Sequence, residues 1–215
     1  MPQFLNDNAN FIFGGLVLCG GQSRRMGGDK AWLSIGEETF LQRVIRTLSG
    51  CAKPIVVAAA VGQTLPPLPP EVQIVRDSAA NCGPLAGLEA GLQTLSPFVS
   101  RALVITCDAP LVSVELLRML VAVKTNADLL VINDGTRTHP FPGNWSIGVL
   151  PKIAAALISD QFKVGALLKR LNIQELALDD VRTIDPELQS LRNVNTPDDY
   201  QALLRFLAER ASTER

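Results

Sequence analysis

Histidine occurs once in these 215 residues, at position 139, and tyrosine also once. Aromatics amount to 5% of the chain. The four cysteines, at 19, 51, 82 and 107, form no C-x-x-C pair. Without paired cysteines or a second histidine, a structural zinc site is not expected. Scattered thiols fit a reducing compartment. A basic excess is also missing, because the net charge is −1. That removes the electrostatic footprint of a general nucleic-acid binder. No apolar run reaches the length needed to span a bilayer. The run from Phe11 to Cys19 ends in a cysteine, but the ten residues before it carry no Lys or Arg. A secretory leader normally has a positive start. A buried first strand in a cytoplasmic protein is the expectation, with no membrane and no nucleic-acid partner.

What is present is an apolar chain: hydrophobic residues make up 47% and charged residues 19%. The length suits one sizeable core. The expected layout is a flexible N-terminus over 1–10 and one domain over 11–210, as a monomer or weak oligomer. Strand-length apolar runs alternate with segments of helical period. Strands are expected at 16–18, 55–60, 72–75, 103–106, 129–132, 145–149 and 173–178. Thr39 reads as an N-cap, followed by Phe40, Leu41, Val44, Ile45 and Leu48 at helical spacing. Gly83-Pro84 opens a second helix. Ser113 caps a third, running to about Lys124. Further helices are expected over 151–159 and 164–171, with a last one opened by Thr196-Pro197. Residues 62–71 hold four prolines and read as a surface loop. The alternation predicts an α/β fold: a single Rossmann-like three-layer domain with a mostly parallel sheet. Ligands of such sheets bind beyond the carboxyl ends of the strands.

The loop after the first strand reads Leu18-Cys19-Gly20-Gly21-Gln22-Ser23-Arg24-Arg25-Met26-Gly27-Gly28-Asp29-Lys30. Its glycines let backbone amides approach phosphate oxygens. Arg24, Arg25 and Lys30 add three cations within seven residues. Guanidinium forks and a mobile ammonium both suit phosphates. A Walker A loop needs Gly-Lys-Ser/Thr, and Lys30 follows Asp29. A dinucleotide fingerprint needs G-x-G-x-x-G, which does not occur. Asp108 follows the fourth strand and is a candidate magnesium ligand, or a brace for the Asp-Ala-Pro turn. Asp77 is a nucleotide contact or an Asx-turn. Gly83 and Gly87 leave room for a purine base, or serve helix-start geometry and close packing. Asn193 and Asn195 stand where a capping loop is expected. Cys19 and Cys107 read as small buried residues, and His139 as a surface or turn residue.

The glycine-rich loop resembles the signature of the nucleotidyltransferase family typified by molybdenum cofactor guanylyltransferase. Three further stretches match in the family's order. They are Asp77-Ser78 with Gly83 to Leu88, then Cys107-Asp108-Ala109-Pro110, then Asn193-Val194-Asn195-Thr196-Pro197. The resemblance spans about residues 14–207 and implies a Rossmann-like nucleotidyltransferase fold. It implies GTP and molybdenum-loaded molybdopterin as substrates, with guanine dinucleotide cofactor and pyrophosphate as products. Molybdoenzymes that receive the product are then further partners. Leu18, Cys19 and Gly20 match the first nucleotide-binding turn, and Gly21 beside them is a further candidate nucleotide contact. Lys30 matches the phosphate-binding lysine; Arg24 is a catalytic candidate from the charge of the loop alone. Asp77 matches a nucleotide-contacting aspartate. Asp108 matches the residue that binds nucleotide and Mg²⁺. Asn193 and Asn195 are expected at the pterin acceptor. Two departures stand out: Cys19 replaces the family's usual Ala, and Val57 to Ala60 lacks the asparagine often offered after the second strand. The readings left open are a relative using CTP, a sugar- or isoprenoid-phosphate acceptor, and a nucleotide-binding regulator without turnover.

Overall fold

Seven strands build the central sheet of the protein, described by a computed structural model that covers residues 13–20, 26, 28–76 and 83–213. Residues 1–10, Gly21, Arg24 and Asp77 lie outside the described residues. The strands are β1 (Phe13–Leu18), β4 (Ile55–Ala59), β5 (Gln73–Arg76), β6 (Arg101–Thr106), β7 (Leu129–Asn133), β8 (Thr138–Ser146) and β9 (Ile173–Leu176). A two-stranded hairpin, β2 (Ser34–Ile35) and β3 (Glu38–Thr39), stands apart. The order across the main sheet is β5-β4-β1-β6-β8-β7-β9. Six strands run in one direction and β8 opposes them.

Helices cover both faces. On one side α1 (Phe40–Ser49), α3 (Val114–Ala122) and α6 (Leu178–Ile184) bury Leu41, Val44, Leu116, Leu117 and Val181 against Val17, Leu103 and Ile105. On the other, α2 (Gly83–Leu95), α4 (Leu150–Ile158) and α5 (Val164–Leu168) pack Leu88, Leu92, Ile153 and Leu167 onto Leu16, Val56 and Val104. Alternation along each strand produces this division, since successive side chains face opposite ways. Thr39 caps α1 in a capping box, exchanging hydrogen bonds with Gln42. The last helix, α7 (Pro197–Thr213), seats Leu203 with Val194, Phe40 and Tyr200 in a small separate cluster.

The third quarter of the chain departs from expectation. The strand expected at 145–149 is β8, which begins at Thr138, and Ile147–Val149 is a 3-10 turn. Pro140 and Pro142 lie in β8 where its register against β7 shifts, between the pairs Leu130–Asn144 and Ile132–His139. Pairing with β6 also stops at Val104–Gly143. Prolines cannot donate to a ladder, so they are tolerated at such an irregularity. Trp145 closes it: its indole N–H donates to Pro140 O at 3.0 Å and its ring stacks on Phe141. His139 is not a surface residue. It is buried in β8, with Nε2 2.6 Å from Asp134 Oδ2. Helix α6 is an addition that sequence periodicity does not announce.

Candidate active site

The chain runs from β1 outward to β4 and β5, then returns to β6 on the other side of β1. This reversal opens a crevice between the carboxyl ends of β1 and β6, where ligands of such sheets bind. Strand register sets Leu18 opposite Thr106. Beyond that pair Cys107 N–H donates to Leu18 O at 3.0 Å, and Cys19 N–H to Ala58 O at 2.8 Å. Leu18 and Cys19 are buried and Gly20 is exposed, so the described start of the glycine-rich loop rises out of the core. Cys19 and Cys107 are small buried residues, as expected. A hydrogen bond with Cys19, then burial, push the Cys107 thiol well above its ordinary pKa, so it stays protonated.

After the glycine-rich loop the chain makes a 3-10 turn over Lys30–Trp32, capped by Asp29, whose Oδ1 accepts from Ala31 N–H at 3.0 Å. The turn delivers Lys30 to the end of β6. Its ammonium lies 3.0 Å from Asp108 Oδ2 and donates to Asn195 Oδ1 at 2.7 Å. Three residues widely separated in sequence therefore meet at one nitrogen. Asp108 also receives Val194 N–H on its backbone oxygen at 2.8 Å, which ties the start of α7 to the end of β6. Thr196 and Asp199 cap that helix reciprocally, and Asp199 Oδ2 also accepts from Asn195 N–H at 3.0 Å. The cap fixes Asn195 beside the lysine. Asn195 thus reaches the lysine that follows the glycine-rich loop, a contact no local pattern reveals. Asn193 is exposed.

The second oxygen of Asp108, Oδ1, is buried without a hydrogen-bond partner, and so is Thr106 Oγ1. A buried carboxylate oxygen left unpaired is costly unless a ligand completes it. A hard divalent cation fits this oxygen, since magnesium takes one or two carboxylates and fills its remaining positions with phosphate oxygens and water. Among the described residues no three His, Cys, Asp or Glu side chains gather into a metal site, here or elsewhere, so phosphate oxygens and water would have to complete the shell.

Gly83 and Gly87 part company. Gly83 is exposed at a φ of +63°, a conformation that glycine adopts freely at the start of α2. A Cβ on Gly87 would face the sheet, 3.4 Å from Ala58 Cβ and 3.7 Å from Leu18 Cδ2, which fits close helix–sheet packing. One participant escapes sequence reasoning. Gln63, in the proline-rich segment after β4, donates to Asp29 Oδ2 at 2.7 Å and to Cys19 O at 3.2 Å. Its available signal is Gly62, a residue suited to a tight turn directly before it.

The MobA-like NTP transferase domain matches residues 15–175. The chain belongs to this family. A relative from Mycobacterium avium, a probable molybdenum cofactor guanylyltransferase, is 36% identical over 199 residues, covering 90% of this chain and 96% of its own. The solved molybdopterin-guanine dinucleotide biosynthesis protein A of Archaeoglobus fulgidus superposes with a TM-score of 0.74 at 22% identity, over 92% of this chain and 100% of that one. A Mycobacterium tuberculosis protein solved with manganese superposes at 0.61 with 19% identity, over 90% and 98% of the two chains. Lys30 and Asp108 converge at the switch point of this MobA-like sheet. No described helix is long and apolar enough to cross a membrane.

Proposed function

We propose that this chain transfers GMP from GTP to molybdenum-loaded molybdopterin, giving the guanine dinucleotide cofactor and pyrophosphate. The observation that carries the reading is the convergence of Lys30, Asp108 and Asn195 at the topological switch of the sheet. The near full-length similarity to a probable molybdenum cofactor guanylyltransferase supports molybdopterin as the acceptor.

The acceptor's terminal phosphate attacks the α-phosphorus of GTP. A new P–O bond forms in line with the α–β bridging bond, which breaks with its electrons on the pyrophosphate. The attacking phosphate is already ionised near neutral pH, so no general base is required. The protein's task is positioning and charge neutralisation. Lys30 has three donors. Two are held by Asp108 and Asn195, which aims the ammonium into the crevice and leaves one for the β- and γ-phosphates. Leu18, Cys19, Gly20 and Gly21 are assigned to receiving the nucleotide, and Asp77 to contacting it. Gly83 opens α2 beside the base, and Gly87 lets α2 approach the sheet there. Arg24 and its neighbour Arg25 add charge to the loop. Asn193 and Asn195 face the acceptor side.

Asp108 is the residue that would hold a divalent cation, through its unpaired Oδ1. Such a cation, Mg²⁺ in this reading, supplies neutralisation of phosphate charge and orientation of the triphosphate.

The test is pyrophosphate release with each of the four nucleoside triphosphates, with and without molybdenum-loaded molybdopterin. Release is expected with GTP and only when the acceptor is present. Equal or greater turnover with CTP would replace the guanylyl reading by a cytidylyl one. Nucleotide binding with no release under any condition would reduce the protein to a regulator.

A further inference from the structure

The chain leaves β4 through a tight turn over residues 60–63. Gln63 N–H donates to Ala60 O at 3.1 Å, and Gly62 takes a φ of +76°. That geometry is a type II turn, whose third residue needs glycine. Arg76, at the end of β5, braces the turn from outside: one guanidinium nitrogen donates to Ala60 O at 3.0 Å and to Gln63 O at 2.8 Å. The turn sends the Gln63 side chain back towards the crevice.

There the amide is fully engaged. Oε1 accepts from Ala60 N–H at 3.0 Å. Nε2 donates to Asp29 Oδ2 at 2.7 Å and to Cys19 O at 3.2 Å. The partners dictate the amide's orientation. Flipped, it would set an oxygen against a carboxylate and a carbonyl, and an NH₂ against an N–H. Cys19 stands before the glycine-rich loop and Asp29 after it. One side chain therefore clasps both stems of that loop and fixes them to the end of β4.

Asp29 divides its two oxygens. Oδ1 caps the turn that carries Lys30, and Oδ2 is held by Gln63. Rotation of the Asp29 carboxylate would loosen the cap, and with it the direction of the lysine. We propose that Gln63 is a positioning residue for nucleotide binding, acting through Asp29 on Lys30. The proposal rests on reading this crevice as the nucleotide site.

Such a role has a signature. Disturbing Gln63 weakens the hold on the distal phosphates, which depend on Lys30, more than the hold on base and ribose. A purely structural residue would weaken both alike. The experiment is isothermal titration of the full chain with GTP and with GMP, for wild type, Gln63→Glu and the double variant Asp29→Asn/Gln63→Glu. Gln63→Glu keeps the shape but sets an acceptor against Asp29 and Cys19 O. GTP affinity is expected to fall about tenfold, the equivalent of one lost charge-assisted hydrogen bond, and GMP affinity by less than about threefold. In the double variant the amide introduced at position 29 can donate to the carboxylate introduced at position 63, while its oxygen still caps Ala31. Most of the GTP affinity therefore returns. Equal losses for GTP and GMP, or no recovery in the double variant, overturn the proposal. If Gln63→Glu does not fold, Gln63→Met fills the same space without hydrogen bonds, and the same unequal loss is required of it. The nucleotide pair is the one wild type binds best, so preference for another base overturns the guanine reading alone. A wild-type chain that binds no triphosphate overturns both.

Discussion

Replacing Asp108 by asparagine keeps the shape of the side chain and removes its charge. Two consequences can be worked from the geometry, and they have opposite signs. The first concerns stability. Lys30 Nζ and Asp108 Oδ2 are 3.0 Å apart, with both side chains less than a fifth exposed. At an effective dielectric of about 20 the gross attraction is about 5 kcal/mol. Desolvation offsets most of it, and the asparagine oxygen still accepts from the lysine, so the net cost is about 1–2 kcal/mol. For a chain of this size that lowers Tm by about 2–8 °C. The backbone bond from Val194 N–H is unaffected, so the fold survives. The second consequence concerns ligands. Without divalent metal the carboxylate repels the triphosphate, and its removal tightens GTP binding. With metal the order reverses, because the unpaired Oδ1 is the oxygen suited to a cation. Turnover is expected to fall at least about a hundredfold, the scale of losing one electrostatic stabiliser. The assay is a magnesium titration of pyrophosphate release beside GTP binding in EDTA, with a melting curve to establish folding. A folded Asp108→Asn protein that keeps the wild-type magnesium response refutes the metal role. One that fails to fold makes Asp108 a brace of its turn.

Asn195→Ala removes an acceptor from Lys30, so GTP affinity is expected to drop about three- to tenfold while the acceptor KM rises. An unchanged GTP affinity with a raised acceptor KM would assign Asn195 to the acceptor alone. Gly91→Ala sets a Cβ within 2.6 Å of Leu16 Cδ2 and 3.0 Å of its Cγ, in a wholly buried contact. Overpacking of this kind costs about 1–3 kcal/mol, and denaturant unfolding with an undiminished midpoint would refute it. Asp134 is held below the usual carboxylate range by hydrogen bonds from the Thr136 hydroxyl first, then from His139 and the backbone of Thr136 and Arg137. Because its folded pKa is depressed, its contribution is complete above the ordinary value of about 4 and is lost as pH falls below that. Melting curves of wild type and Asp134→Asn should therefore differ at pH 5 and converge as acid is added. A gap as wide at pH 3 as at pH 5 contradicts the depressed pKa.

Local chemistry makes much of the fold readable. Thr39 announces α1 because its capping box and the spacing of Phe40, Leu41, Val44, Ile45 and Leu48 lie within one short window. The strands that carry Leu18 and lead to Asp108 are equally plain, being apolar runs with clear ends. β8 is hidden because Pro140 and Pro142 contradict strand propensity, and only the register shift beside β7 accommodates them. His139 reads as a surface or turn residue because its sequence neighbours complete no metal or nucleophile constellation, and its burial follows from the strand that holds it. At the site, Lys30 and Asp108 are legible from motif and strand end. Their neighbour Asn195 is expected at the acceptor, and its bond to a lysine 165 positions away is set by tertiary packing alone. Gln63 is invisible because a glutamine in a proline-rich stretch looks like solvated loop until its turn is seen.

The bond from Val194 to the carbonyl of Asp108, and the neighbouring one between Asn195 and Lys30, also have a meaning in time. A protein grows from its N-terminus. The glycine-rich loop and the strand leading to Asp108 are made well before Asn195, to which Lys30 is bonded across 165 positions. Until α7 follows, Phe40 lacks the cover of Val194 and Leu203, and Lys30 lacks its amide partner. The part of the chain that matches the family domain ends at residue 175, before either contact exists. A nascent chain at that length already has nearly all of the sheet and the Lys30–Asp108 pair, yet lacks the amide that holds the lysine from the other side. The last bond to the lysine is thus acquired late, when the helix that begins at Pro197 docks against the strands already in place.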